Sequence, residues 1–135
     1  MPASTAVTVG GRGVITSRLI GTATGVPHHI GWGTGTNPVT TADTILQTED
    51  TGGSPAYARA TGADTQTTTT SANDTHTVIG TLTSNGTKTI TEAALFTAAT
   101  SGTMYVRGVL ASGISVALND SVQFTFNIQI TSAVV

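Results

Sequence analysis

"SVQFTFNIQI", residues 121–130, decides the fold class: Val122, Phe124, Phe126, Ile128 and Ile130 alternate with Gln123, Thr125, Asn127 and Gln129. Successive side chains of an extended chain point to opposite faces, so this spacing predicts a long strand with one buried and one solvated face. The same test applied upstream gives two more strands. "THTVIGTL" (75–82) places Val78 and Leu82 on one face, and "TMYVRGVL" (103–110) places Met104, Val106 and Leu110 together.

Turn residues punctuate these segments at "SAND" (71–74), "SNG" (84–86), "ATSG" (99–102), "ASG" (111–113) and "LND" (118–120). Asn85-Gly86 reads as a type I′ hairpin turn, because both residues tolerate positive φ. Strands recurring at this spacing predict an antiparallel β-sandwich, jelly-roll-like in character. Its expected core is Val78, Leu82, Ile90, Phe96, Val106, Phe124, Phe126 and Ile128.

The first half is less regular. "TAVTV" and "GVITSRLI" read as two strands around the Gly10-Gly11 break, and residues 21–42 read mostly as loop. "TADTILQTED" has the makings of a short helix, with Thr41 or Asp43 as cap and Ile45 and Leu46 as its buried contacts. "AYARATG" and "DTQTTTT" read as a hairpin or as one long, bent edge strand. Residues 1–135 are expected to form a single domain, in which 1–40 is an irregular N-terminal segment of strands and loop.

Composition narrows the function. Charged residues are 9% of the chain, where about 25% is usual, and threonine, at about a fifth, fills the gap. A β-branched hydroxyl residue suits the solvent face of a strand. With a net charge of only −2, copies repel one another little, which favours association. The five basic residues, Arg12, Arg18, Arg59, Lys88 and Arg107, are scattered, which argues against nucleic acid as a partner.

There is no cysteine, hence no disulfide and no thiolate-ligated metal. The start, "MPASTAVTVG", has neither a basic nor an apolar signal region, and no run approaches the roughly 20 apolar residues of a membrane span. Residence in a cytosol, without a membrane partner, is the expectation.

"HHIGWGTGT" (28–36) is the stretch that invites a chemical role. Neighbouring histidines on an extended chain point apart, so His28 and His29 are expected to be structural or surface residues rather than metal ligands. Gly31, Gly33 and Gly35 form GxGxG without the βαβ context or lysine of a phosphate loop. Trp32 is expected as an anchor, packing a glycine-punctuated connection on its own domain or on a neighbour. The seven carboxylates lie mostly in predicted turns, and neither GxSxG, HExxH nor an EF-hand loop occurs. No enzymatic activity, catalytic residue, cofactor or metal is therefore expected.

Asn73, Asn85 and Asn119 head sequons but read as turn residues. Glu92, spaced with Ile90, Ala94 and Phe96, either faces inward and needs a donor such as Arg107 or Arg59, or is turned outward by a bulge.

Three matching stretches, "ITEAALF" (90–96), "GTMYVRGVL" (102–110) and "NDSVQFTFNIQI" (119–130), resemble the C-terminal part of small structural proteins of tailed-bacteriophage virions. "GWGTGT" followed by "ADT" is similar to the middle of such proteins. Ala94 stands where they often have glycine.

The resemblance implies a capsid cement or decoration protein on the outside of the head, made in the host cytoplasm. Its partners would be the major capsid protein and itself, as a homo-oligomer, most simply a trimer at threefold positions. A tail or fibre component that binds a receptor or carbohydrate is the alternative, with Trp32, Tyr57 and Tyr105 as the available aromatic platforms. The expected interface residues are Arg12, Arg18, His28, His29 and Trp32, because residues 1–40 hold two arginines and no carboxylate and can serve as an interaction arm.

Overall fold

A computed structural model of the chain describes residues 4–22, 25–50 and 58–132. These form β1 (Ser4–Val7), α1 (Val9–Leu19), β2 (His29–Gly33), β3 (Ala60–Thr61), β4 (Ala63–Thr67), β5 (Thr75–Thr83), β6 (Lys88–Phe96), β7 (Met104–Val116) and β8 (Ser121–Gln129). Two antiparallel sheets result, with orders β1-β7-β6-β2-β3 and β4-β5-β8, and they pack as an all-β sandwich.

The alternation at the C-terminus works as expected from Val122 to Ile128, while Ile130, beyond the end of β8, is exposed. Phe124 and Ile128 are buried between the sheets, and Val122 and Phe126 pack against the same cluster. Val78 and Leu82 adjoin them within the same sheet, and Ile30, Trp32, Leu95 and Val106 complete the cluster from the other sheet.

Two bulges in the β6–β7 ladder redistribute side chains between faces. The register breaks between Ile90 and Glu92 and again between Leu95 and Phe96. Ile90 belongs to the inter-sheet core, whereas Ala94 and Phe96 join Met104 and Leu46 in a second cluster on the outer face of the five-stranded sheet. Met104 and Val106 therefore lie on opposite faces, contrary to simple alternation, because an extra residue reverses the side-chain parity of a strand.

"GVITSRLI" is helix, not strand. Thr8 caps α1, accepting from Gly11 N–H at 2.9 Å while its own hydroxyl donates to Met104 O at 2.6 Å. A Cβ on Gly11 would stand 2.2 Å from Tyr105 O, so glycine there lets the helix rest directly on β7. The helix cost of β-branched Val14, Ile15 and Thr16 is a few tenths of a kcal/mol each, which the cap and this contact outweigh. Arg18 in the last turn complements the helix dipole.

The expected helix at 41–50 is replaced by turns. Asp43 does cap, but it caps a turn: its carboxylate accepts from Thr40 N–H and Thr40 Oγ1 at 3.0 and 2.8 Å, an arrangement that competes with helix. Leu46 is buried, whereas Ile45 is exposed.

Asn85-Gly86 is not a hairpin turn. It links β5 to β6 across the two sheets, and neither residue has positive φ. "ASG" (111–113) runs inside β7 rather than turning it. Positive φ does occur at Asn73, Asn119 and the Ser101-Gly102 pair, within three of the other expected turns.

The bent-strand reading of residues 58–70 matches β3 and β4, which are edge strands of different sheets joined at Gly62. Residues 56 and 57 of that segment lie outside the described residues.

Candidate functional site

"HHIGWGTGT" is largely β2, paired with β6 on one side and β3 on the other, not a loop. Ile30 and Trp32 point into the sandwich, both with no exposed surface. Gly31 and Gly33 occupy the opposite face. A Cβ on Gly33 would lie 2.2 Å from Thr48 O and 2.8 Å from Glu92 Oε1. Glycine at this position lets the 34–50 segment lie flat on the sheet, where Thr34 N–H donates to Thr48 O and Asp50 N–H to Trp32 O, each at 3.0 Å.

That segment covers the most elaborate polar cluster of the protein. Glu92, with no exposed surface, accepts from Gly35 and Thr48 N–H through Oε1 and from Gln47 N–H through Oε2. Arg107 donates to the same carboxylate from Nε and Nη2 at 3.0 and 2.8 Å. Its Nη1 reaches Asp43 at 2.8 Å and Pro38 O, and Nη2 reaches Asn37 O.

Both readings of Glu92 thus hold in part. The bulge turns it away from the Ile90 face, and Arg107 is its donor. Desolvation works against the charge on Arg107, but Asp43 and Glu92 outweigh it and raise the guanidinium pKa above its ordinary value. The cluster fastens a loop to a sheet, with its lone pairs and donors spent on that loop.

Two further cations are also used internally. Arg59 forms a fork on Glu49 at 2.7 and 3.0 Å, lies 3.4 Å from the Phe96 ring centroid and donates to Ala98 O and Ser101 O. Lys88 pairs with Asp50.

The three histidines of the chain gather at one end of the sandwich. Asp64 on β4 accepts from His28 Nδ1 and, at 2.8 Å, from His76 Nε2 on β5. His29 meets His28 edge-on, with ring centroids 4.8 Å apart, and His76 leans toward Tyr105 at 5.9 Å. Because His28 precedes β2 of the larger sheet, Asp64 ties the two sheets together beside the Gly62 crossover. Burial and then the neighbouring His28 lower the pKa of His29.

Asp64 and His76 were not distinguishable by spacing; their meeting with His28 depends on the strand crossover. Among the described residues, no group of three or more potential ligands is arranged to hold a metal ion. None of the described helices is long and apolar enough to cross a membrane.

Arg12 and Arg18 lie on α1 and are exposed. Arg18 donates to Gly25 O. Beside them Val9, Leu19 and Ile20 are 60%, 81% and 75% exposed. The five expected interface residues therefore separate: Trp32 is core, His28 and His29 belong to the Asp64 cluster, Arg12 is exposed on the outer side of α1, and Arg18 is exposed in its last turn, bonded to Gly25 O.

Acid stability follows from three carboxyls. Burial raises the pKa of Asp43, but Thr40 and Arg107 outweigh it; burial likewise opposes ionisation of Asp64, and His76 and His28 outweigh it. Asp74 is held far below the usual range, first by the Ser71 and Thr69 N–H groups.

All three bind protons less readily folded than unfolded, so their stabilisation is complete above about pH 4 and is lost below it. His29, also depressed, adds a small loss as pH falls through about 6.5. The urea midpoint should decline slightly from pH 7 to 5 and steeply below 4; a midpoint unchanged down to pH 2.5 would refute these assignments.

No family model matches the chain, and no match is found among curated proteins or solved structures.

Proposed function

We propose that this chain is a structural protein of a tailed-phage virion, a cement or decoration protein that binds the outside of the capsid and clamps neighbouring capsomers. The observation that carries the reading is how the charges are spent. Three of the five cations, Arg59, Lys88 and Arg107, pair with carboxylates inside the fold. What faces outward is a sparsely charged, threonine-rich β surface and one helix with exposed Val9, Leu19 and Ile20.

Such a surface works by contact area, and repetition over a lattice makes modest contacts add up. The resemblance of residues 90–96, 102–110 and 119–130 to virion proteins supports the same reading. Its partners are the major capsid protein and further copies of itself, as trimers at threefold positions.

A carbohydrate-binding tail module is less favoured, because sugar recognition wants exposed aromatic platforms. Trp32 has no exposed surface and Tyr105 only 3%; Tyr57 lies outside the described residues. Separating phage particles into heads and tails and quantifying the chain by mass spectrometry tests the choice. Many copies per head are expected; recovery with tails alone would overturn the proposal.

A further inference from the structure

We propose that α1 of one copy docks into the hollow beside Asp64 and Asp74 of the next copy, so that identical chains join head to tail in a closed ring. The inference deepens the self-association assumed above and rests on that reading for the number of subunits, but the contact itself stands on a separate observation.

That observation is the residue of the internal charge pairing. Once the Arg59, Lys88 and Arg107 pairs are set aside, Arg12 and Arg18 are the cations without a carboxylate partner among the described residues, and both lie on α1. The carboxylates without a Lys or Arg partner are Asp64, Asp74 and Asp120. Asp120 caps the β7–β8 turn through Ala117 N–H. The other two line one open hollow at the β4–β5 end, together with Gln66, Asn73, His76 and Ile130.

Charge is matched by apolar surface. Val9, Arg12, Thr16 and Leu19 follow one another at helical spacing along the outward side of α1, and Ile20 extends the stripe; Arg18, half a turn round from Val9 and bonded to Gly25 O, adds its charge at the end of the helix rather than on the stripe. A solvated helix normally turns a polar face outward, yet Val9, Leu19 and Ile20 are 60%, 81% and 75% exposed. In the hollow, Ile130 is 58% exposed. A convex apolar and basic helix thus faces a concave surface carrying the opposite charge and its own apolar contact.

The two carboxylates are held in place before any partner arrives. Asp74 accepts from Thr69, Thr70 and Ser71 N–H, Thr75 Oγ1 and Gln129 Nε2. Asp64 is fixed between His28 and His76. They act on the arginines mainly as a fixed negative field, so the contact is salt-sensitive.

Helix and hollow are different surfaces, and a contact between different surfaces is heterologous; repeated, it closes into a ring or runs on as a filament. A ring of three fits the capsid reading.

Sedimentation velocity of the full chain at neutral pH and low salt tests the contact. The wild type should sediment as a closed oligomer that dissociates at high salt. Arg12→Glu/Arg18→Glu spoils the helix, and Ile130→Arg spoils the hollow. Each should be monomeric and, since all three positions are exposed, should keep the wild-type circular dichroism; Leu19→Ser/Ile20→Ser provides a second, uncharged helix variant.

Mixing the helix variant with the hollow variant leaves one intact contact per pair and should give heterodimers and nothing larger. A monomeric wild type at high concentration, an oligomer indifferent to these replacements, or no heterodimer on mixing would overturn the proposal. Self-association through these residues in a protein absent from heads would remove the capsid reading and leave the contact standing.

Discussion

Arg107→Met should lower the unfolding free energy by about 3–5 kcal/mol, the cost of leaving a buried charge without its partner. Glu92 has no exposed surface, and methionine removes both of its side-chain donors while leaving the carboxylate under the 34–50 segment. Asp43 and the carbonyls of Asn37 and Pro38 lose their donor as well.

Glu92→Leu should be at least as damaging for a different reason: it orphans the N–H groups of Gly35, Gln47 and Thr48, each costing about 1–3 kcal/mol if it stays unpaired. The double replacement should cost less than the sum of the singles, since neither charge is then stranded. Domains of this kind hold about 5–15 kcal/mol in total, so either single variant should be visibly destabilised in urea. A loss under about 1 kcal/mol would mean that water reaches the carboxylate and that the loop does not seal it.

This cluster also marks where the sequence was readable and where it was not. The β8 pattern needed only period-two alternation with one solvated face, and it placed Phe124 and Ile128 correctly. The outer face of the five-stranded sheet is buried too, under the 34–50 segment, so β6 reads as a nearly continuous apolar run and loses its alternation. The irregularities at Ile90/Glu92 and Leu95/Phe96 change side-chain parity, the first on β6 and the second on β7, and no local residue type announces them. Glu92 was identified as a residue in need of a donor, but choosing Arg107 over Arg59 required the β6–β7 register.

α1 was missed because Val14, Ile15 and Thr16 favour strand locally, while the features that made it helical were tertiary. Thr8 and Gly11 owe their roles to β7, almost a hundred residues later in the chain. The Asn85-Gly86 signal failed in the opposite way. A turn was present, but the next strand belonged to the other sheet, which turn chemistry does not specify.

The sheet-to-sheet clasp of His28, Asp64 and His76 was illegible for the same reason: it is a property of the crossover at Gly62, not of spacing. The complementary hollow and helix could be recognised only after the internal ion pairs had removed three cations from the count.

Trp32→Ala should cost about 3–5 kcal/mol, as large-to-small replacements of fully buried aromatic residues do. In "HIGWG" the alternation is large, glycine, large, glycine: Ile30 and Trp32 fill the inter-sheet core, and the glycines open the other face to the covering loop. The stretch obeys the period of a strand while looking like a flexible connection, because glycine usually signals one.

The indole stands edge-on to Phe124, with ring centroids 6.2 Å apart at 88°, and so joins β2 of one sheet to β8 of the other. Alanine would lose that aromatic pair and leave a cavity between sheets whose backbones are held apart by the remaining core, so little collapse can repay the loss. Trp32→Phe keeps an aromatic ring and should cost clearly less. Because Trp32 is the only tryptophan, unfolding of the variants is best followed by circular dichroism in urea, and that of the wild type by fluorescence as well. An alanine variant as stable as the wild type would place Trp32 outside the core and return "HHIGWGTGT" to the list of surface connections.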